Sequence, residues 1–350
     1  MTIFRPAVRF LAPILGALAF AVILLVLVGE SPGAALNAMV SGAVGSAARI
    51  GDTLTAWTTL SLAAAGLAIT FTAGLWNIGV EGQMIAGAIA ASFVAREMSA
   101  PPAVMIPLVL MAGFVGGALW AALAGMLKVK GRVNEIFGGL GLTFVAISLS
   151  TYLIIGPWQR AGAASTGGTD PFPGNAWLPT LGNLRVSLVA IIVAVLALVI
   201  VYVLLRGTRF GLRLKAVGQN LQSSALFGIA NARYLLTAFA LGGGLAGIAG
   251  AIRVTGFYHK LVPGPSGGHG YLGILIVLLA AYQAKWIAPL AFFFAIVAVG
   301  ASQLPLQLGL DASLGGILRS VLVLFVLLAG GWQARRSARA DAARSEKTAA

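Results

Sequence analysis

The chain has 350 residues, of which 59% are hydrophobic and only 9% charged, and its mean hydropathy is +0.97. A soluble domain carries about 25% charged residues, so this composition excludes an ordinary soluble protein and predicts an all-α chain with lipid as its main solvent. The sequence has no cysteine and only two histidines, which excludes thiol chemistry and leaves too few ligands for a polyhistidine metal site. The net charge of +14 comes from basic residues in short segments between apolar runs, and this scatter argues against a nucleic-acid partner.

Ten apolar runs predict about ten transmembrane helices, because a bilayer core needs about 20 apolar residues per helix. In chain order the runs cover residues 10–28, 54–75, 84–95, 103–127, 136–155, 186–205, 235–252, 271–282, 286–303 and 314–331. The first is longer than the apolar part of a signal peptide and is expected to be an uncleaved anchor. The third and eighth are too short to cross a bilayer as straight helices, so each is expected to follow broken backbone.

The distribution of Lys and Arg orients these spans. With the connecting segments on alternate sides, 16 of the 23 basic residues fall on the side of both chain ends and six on the other, while Arg319 lies inside the tenth run. Because cytoplasmic loops carry the excess of basic residues, we expect both termini in the cytoplasm. This gives one transmembrane domain over residues 1–332, an outer loop at 156–185, a cytoplasmic loop at 206–235 and a basic cytoplasmic tail at 333–350. The outer loop is rich in Gly, Pro, Ser and Thr and is expected to be exposed and loosely structured.

Polar residues enter the membrane between the second and third spans. Asn77, Glu81 and Gln83 lie among glycines where hydropathy otherwise predicts apolar helix. Backbone freed by such a break must be buried in protein or line a cavity, and a carboxylate inside a membrane suggests a function. The alternative is a short cytoplasmic turn with a solvated Glu81. The short third run and the lack of Lys or Arg between positions 49 and 96 favour the broken helix.

A second irregular stretch, residues 264–270, precedes the short eighth run and contains Gly268 and Gly270. Matching glycine-interrupted segments in the two halves of a membrane protein indicate an inverted repeat with a site at the midplane. Spans 2–5 and 7–10 place the two segments in corresponding positions. This predicted repeat rests on the order and length of the spans alone.

The cytoplasmic loop contains a segment, residues 221–229, that can form a short helix bounded by Asn220 and Gly228. Its small side chains would let another protein approach closely. A solvated interfacial helix is the alternative, and the spacing of the residues does not separate the two.

The sequence has no phosphate-binding loop of the Gly-x-x-x-x-Gly-Lys-Ser/Thr type, no HExxH motif and no readable Ser/His/Asp constellation. We therefore expect a chain that is not an enzyme and binds no cofactor itself. Broken helices alone also permit an ion-coupled secondary transporter of a small polar solute. Glu81 is, however, the only central carboxylate, and no proton-relay chain is visible, so this interpretation is disfavoured.

Three stretches carry a resemblance to a known family. Residues 77–87 read Asn-Ile-Gly-Val-Glu-Gly-Gln-Met-Ile-Ala-Gly, the pair Asn134 and Glu135 opens the fifth span, and residues 216–229 begin Ala-Val-Gly-Gln-Asn and end Gly-Ile. They resemble the permease subunits of ATP-binding cassette (ABC) importers of the ribose and branched-chain amino acid type, in the nucleoside and simple-sugar branch. The similarity extends from about residue 54 to residue 331.

The resemblance implies a translocation path for a nucleoside or a related purine or simple sugar in the inner membrane of a bacterium. It also implies three protein partners: a separate ATPase subunit that uses ATP, a periplasmic or lipid-anchored substrate-binding protein, and a second permease, more commonly a paralogue than a second copy. The implied path residues are Trp76, Asn77, Gly79, Glu81, Gln83, Asn134, Glu135, Gly268 and Gly270. The implied ATPase-coupling residues are Gly218, Gln219, Asn220, Ser223, Ser224, Ala225, Gly228 and Ile229.

Overall fold

A computed structural model describes residues 31–160, 167–182 and 184–309, together with a few isolated positions outside these ranges. Within them the chain is helical, and its one β pairing is an isolated antiparallel bridge between Thr180 and Ser187. The helices are α1 (Pro32–Val44), α2 (Ala47–Thr72), α3 (Val80–Glu97), α4 (Pro102–Val129), α5 (Glu135–Ile155), α6 (Leu188–Gly207), α7 (Arg209–Gln219), α8 (Leu221–Leu226), α9 (Asn231–Arg253), α10 (His269–Leu279), α11 (Ile287–Ala301) and α12 (Leu304–Leu308). Short 3₁₀ turns lie at Gly174–Ala176 and Ala284–Trp286, and a π-helical segment, Val254–Tyr258, continues α9.

Six segments among the described residues are long and apolar enough to cross a membrane, which makes the chain a multi-pass membrane protein. They are Ala47–Thr72, Pro102–Val129, Glu135–Ile155, Leu188–Gly207, Asn231–Tyr258 and Ala284–Leu308. These correspond to the second, fourth, fifth, sixth, seventh and ninth apolar runs of the sequence. The first and tenth runs, Arg319 and the basic tail at 333–350 lie outside the described ranges, so the count of ten spans and the placement of the termini stay predictions.

The structure confirms the predicted short helix for the eighth apolar run but not for the third. The predicted short eighth helix is confirmed, because α10 has 11 residues and follows irregular backbone. The third run was expected to be equally short, and this prediction is wrong, because α3 has 18 residues. It begins at Val80 and includes Glu81 and Gln83, which hydropathy counts as breaks. Both side chains are hydrogen-bonded inside the protein, so the helix can carry them without exposing polar groups to lipid.

The packing of α4 against α9 rests on glycine. This is the most extensive helix pair among the described elements. Gly113 and Gly117 on α4 meet Gly243 and Gly247 on α9, and a Cβ added at any of the four would overlap the opposite helix. In membranes, where lipid is as apolar as a side chain, small residues spaced four apart allow the backbone approach that gives helices their contact energy.

The chain divides into two compact units, one of residues 1–46 and 296–350 and the other of residues 47–295. In the first unit the Ser31 hydroxyl caps α1 by accepting from the backbone N–H of Ala34 at 3.5 Å. Ala35 and Ala38 of α1 pack there with Leu304 of α12. The second unit contains every candidate site residue of the sequence.

The outer loop at 156–185 is more ordered than its composition indicates. Phe172 and Ala176 are buried in a cluster with residues of α3, α4 and α9. Leu178 is also buried. Backbone N–H groups of Phe172 and Leu178 donate to the carbonyl oxygens of His259 and Thr255, at 2.8 and 3.1 Å. The expectation of a loosely structured loop is therefore wrong for this part of it. Pairing with a distant loop satisfies its backbone, which local composition does not reveal.

Candidate functional site

The break that the sequence predicts between the second and third spans is present between α2 and α3. The helix α2 ends at Thr72, and Gly74 turns the chain with φ of +75°, a conformation that glycine adopts without a steric cost. The N–H of Leu75 then donates to the carbonyl of Thr70 at 3.0 Å, and α3 begins only at Val80. The interpretation of Glu81 as a solvated turn residue is wrong, because only 5% of its surface is exposed.

Asn77 and Gln83 close this break by pairing with each other. The Asn77 amide donates to Gln83 Oε1 at 3.0 Å, and the Gln83 amide donates back to Asn77 Oδ1 at 2.8 Å. Both side chains are almost fully buried. Each amide therefore satisfies the other where no water is at hand, and the pair fastens the start of α3 to the chain that precedes it.

Glu81 links this break to the second irregular stretch, nearly 190 positions later. The Ser266 hydroxyl donates to Glu81 Oε1 at 2.5 Å, and the N–H of Gly268 donates to the same oxygen at 2.9 Å. The N–H of Gly270 donates to Oε2 at 2.8 Å. One carboxylate thus holds the backbone at the start of α10. The two segments that the sequence places in corresponding positions meet at this residue.

The glycines of the second stretch are needed for this contact. Gly268 has φ of +77° and precedes α10, so a residue with a side chain would be strained there. At Gly270 a Cβ would lie 2.5 Å from Glu81 Oε2. Ser266, which completes the set of donors, was missed by sequence reasoning. A serine in a Gly- and Pro-rich loop gives no signal of its own, and only the fold brings it to the carboxylate.

An arginine and two aromatic rings lie next to this loop. Arg253 is 7% exposed at the end of α9, and its Nε donates to the carbonyl of Pro265 at 3.2 Å. Its guanidinium lies 5.1 Å from the ring centre of Phe257 and 4.7 Å from that of Tyr258. Both rings belong to the π-helical segment, a local feature that is frequent at functional sites and that hydropathy does not detect.

The remaining predicted path residues lie at the other end of the break. Asn134 caps α5 by accepting from the N–H of Ile136 at 2.9 Å. Glu135 pairs with Lys128 at 2.6 Å and also interacts with the backbone of Trp76, whose side chain is 43% exposed. Gly79 packs on Gly139 of α5, so the start of α3 touches this helix directly. Path lining by the whole set stays a prediction.

The segment after α6, which the sequence predicts to be cytoplasmic, folds into two short helices. The N-cap residue of α8 is Asn220, whose Oδ1 accepts from the N–H of Ser223 at 2.9 Å. The buried Ser224 hydroxyl donates to Asn231 Oδ1 at 2.9 Å, and the Asn231 amide donates to the carbonyl of Leu221 at 2.7 Å. The predicted helix of residues 221–229 is shorter than expected and ends at Leu226, because Gly228 turns the chain with φ of +74°.

This short helix presents apolar side chains to its surroundings. Leu226 is 88% and Phe227 86% exposed, although they lie in a polar loop. Ala225 is exposed beside them, while Gln219 and Ile229 flank the helix. Sequence reasoning selected the small residues and missed Leu226 and Phe227, because exposure of an apolar residue cannot be inferred from its type. Two large apolar side chains exposed side by side outside the apolar spans form a candidate interaction surface.

The arm that carries this helix is fastened to the break. Gly218, near the end of α7, lies so close to the end of α2 that a Cβ there would overlap the carbonyl oxygen of Thr72 and the backbone of Ala73. Gly218 thus brings α7 into direct backbone contact with the chain just before Gly74. Within the described ranges, no group of three or more His, Asp or Glu side chains could hold a metal ion.

Comparison with known proteins gives a consistent set of matches. Residues 49–327 match the family described as the permease component of the branched-chain amino acid transport system. The glucose ABC transporter permease protein TsgB13 of Haloferax volcanii is 33% identical over 90% of this chain and 85% of its own length. The guanosine permease protein NupP of Bacillus subtilis is 29% identical over 91% and 92%. The nucleoside permease protein NupB of Lactococcus lactis is 28% identical over 91% and 90%.

Proposed function

Because the chain belongs to the family of branched-chain amino acid transport permease components, we propose that it is the membrane subunit of an ABC importer for a nucleoside or a related purine or simple sugar. Relatives that match about nine-tenths of the chain are named as permeases for guanosine, for nucleosides and for glucose. A ribose ring and glucose share a set of neighbouring hydroxyl groups. We infer that the cargo is a compound of this hydroxyl-rich kind, with a nucleoside as the first candidate.

The observation that carries this proposal is the exposed pair at the end of α8, Leu226 and the C-cap residue Phe227. A helix of six residues has no stability of its own, and here hydrogen bonds from Asn220 and Asn231 hold it in place. These hydrogen bonds hold two apolar side chains exposed on the side that we assign to the cytoplasm. An aromatic anchor of this kind fits a cleft on a protein partner, and we assign that cleft to the separate ATPase subunit that uses ATP.

The contacts around α8 supply a mechanical route for alternating access. Closure of the ATPase would move α8, and α7 would pass the movement through Gly218 to the end of α2 and the break at Gly74. Glu81 then joins the start of α3 to the loop before α10, so both irregular segments move together. Such a bistable element needs about 5.5 kcal/mol of bias to shift from 1:99 to 99:1. In this mechanism, Glu81 and the Asn77–Gln83 pair hold together the segments that move, which are the start of α3 and the loop before α10. The translocation path runs beside these segments.

The remaining partners follow from the importer class. We propose a second permease, more commonly a paralogue, to complete the path, and a substrate-binding protein that delivers the cargo to the outer side, where the loop at 156–185 lies. The location that fits this assembly is the inner membrane of a bacterium. A carboxylate fixed by three donors is a poor carrier of protons, which further disfavours ion-coupled transport.

The test is purification of the tagged full chain in mild detergent, followed by identification of the subunits that accompany it. The ATPase activity of the complex is then measured with the substrate-binding protein and a panel of nucleosides, bases and sugars. We expect an ATPase and a second permease, with activity that rises for one cargo class. A chain that purifies alone and transports solute with an ion gradient would refute the proposal.

A further inference from the structure

A basic cavity lies where α6 and α7 meet, beside the end of α2 but without Glu81 in its lining. It has a volume of about 320 Å³, and its charged lining consists of Arg206, Lys215 and Lys285. Tyr202 and Tyr282 add hydroxyl groups, and Thr72 lies at the end of α2. Within the described part of the chain, no carboxylate forms an ion pair with any of the three cations. Three like charges around one cavity repel one another unless an anion joins them.

Three separate elements supply the cations. Arg206 ends α6, Lys215 lies on α7, and Lys285 lies on the 3₁₀ turn before α11. The turn that leads to Lys285 is strained, because Ala281 and Tyr282 both have positive φ, 47° and 62°. That backbone stacks the Tyr282 ring on Phe71 at 5.7 Å and so sets its hydroxyl at the cavity. The three cations are exposed, and the packing of Tyr282 on Phe71 fixes one wall of the cavity that they share.

The surroundings of the cavity belong to the membrane surface. Along α6 an exposed apolar stripe of Ile192, Val195, Val199 and Val203 runs toward the cavity and ends at Arg206. Residues at this spacing share one helix face, and α6 is the most apolar of the candidate spans, with a mean hydropathy of 3.4. Trp286, which is 50% exposed beside Lys285, is of the kind that lies at headgroup level. An acyl chain can therefore follow α6 to a headgroup in the cavity.

We propose that this cavity binds the phosphate headgroup of an anionic phospholipid, with the acyl chains lying along the exposed face of α6. Arg206 and the two lysines supply the charge, and the tyrosine hydroxyls donate hydrogen bonds to phosphate oxygens. A bound headgroup joins the end of α6 to α7, the arm that carries α8. The lipid thus fastens the arm to the membrane at the point where α7 passes Thr72. This site does not depend on which solute the chain transports.

The test compares two triple variants of the full chain, purified in detergent. Arg206→Gln, Lys215→Gln and Lys285→Gln remove the cavity cations. Lys130→Gln, Arg209→Gln and Arg233→Gln remove the same charge from exposed positions that do not line the cavity. Native mass spectrometry measures retention of dioleoylphosphatidylglycerol, with dioleoylphosphatidylcholine as the zwitterionic control, and thermal unfolding is followed with each lipid and with glycerol phosphate alone.

We expect the cavity variant to lose affinity for phosphatidylglycerol by about a hundredfold, since each cation at an anionic surface contributes about fivefold. The charge-matched control should keep at least a tenfold higher affinity than the cavity variant. Equal retention by the two triple variants would overturn the proposal. Stabilisation by glycerol phosphate as large as that by the lipid would overturn the lipid as the source. The single variant Lys285→Gln, on an exposed turn, repeats the comparison if the triple variant fails to fold.

Discussion

At the scale of single residues, one carboxylate organises the site. Glu81 accepts hydrogen bonds from Ser266, Gly268 and Gly270, of which Ser266 and Gly270 are buried and Gly268 is half-buried. A buried donor that loses its acceptor costs about 1–3 kcal/mol, so the contact stabilises the chain mainly by what its removal would leave unpaired. The residue that the sequence marked as a candidate for function thus also sets the local structure.

We predict that Glu81→Ala lowers the free energy of unfolding by at least about 2 kcal/mol, because two buried donors and one half-buried donor lose their acceptor. Glu81→Gln, which keeps one carbonyl oxygen, should show a smaller loss. The control is Glu97→Ala, an exposed carboxylate at the other end of α3. Denaturant unfolding in detergent measures all three. If Glu81→Ala proved as stable as the Glu97 variant, the bridge would carry no stability.

His259, which follows the π-helical segment, gives a prediction for pH. It stacks on Trp177 with ring centres 4.2 Å apart, and burial lowers its pKa, outweighing the opposite effect of its hydrogen bond to the Thr255 carbonyl. Above about pH 6.5 the ring is neutral in both the folded and unfolded chain. As the pH falls through that value the unfolded chain binds the proton first, so the free energy of unfolding decreases.

The measurement is the unfolding temperature at pH 7.5 and pH 5.5 for the wild type and for His259→Gln. We expect the wild type to lose more stability on acidification than the variant does. A variant with the same loss would show that other groups account for the acid sensitivity of the chain.

At the scale of elements, the glycine contact between α4 and α9 holds the core of the second unit. We predict that Gly247→Val destabilises the chain by at least about 2 kcal/mol, because its side chain would overlap Gly113 and Gly117 of α4. Gly141→Val on α5 is the matched control, since a Cβ there meets nothing within 4 Å. Thermal unfolding in one detergent compares the two. Equal stability would contradict the close packing of α4 on α9.

The element α8 gives a prediction for assembly. Phe227→Ala should weaken binding of the ATPase by about tenfold or more, because an aromatic anchor of an interface is typically worth 2 kcal/mol or above. Membrane insertion and unfolding should not change, since the ring is 86% exposed. Leu212→Ala on α7, at a residue that is 70% exposed, serves as the control. The ATPase is titrated onto detergent-solubilised chain, and equal affinities for both variants would exclude Phe227 as an anchor.

The sequence predicted the elements better than their contacts. Apolar runs located the spans from α2 to α11, and clustered polar and glycine residues located the breaks before α3 and α10. Periodicity could not predict that Ser266 meets Glu81, since the two are 185 positions apart and the serine has no pattern around it. The ordered part of the outer loop escaped prediction for a related reason, because its backbone pairs with residues near 255–261. Phe227 precedes the turn at Gly228, and the composition of the loop does not predict that its side chain is exposed.

At the scale of the whole molecule, the second unit contains both breaks, the bridge between them and the arm to α8. A signal that enters at α8 can therefore reach α10 through contacts inside one compact body. We propose that ATP bound to another subunit drives the conformational change of this unit.

The most direct measurement is uptake of labelled guanosine into proteoliposomes that contain the chain with its ATPase and second permease, with the substrate-binding protein outside. ATP is supplied inside at a fixed concentration, and a non-hydrolysable analogue and an uncoupler are added in separate arms. We expect uptake that requires hydrolysable ATP and is unchanged by the uncoupler. Uptake that proceeds with the analogue and collapses with the uncoupler would contradict it.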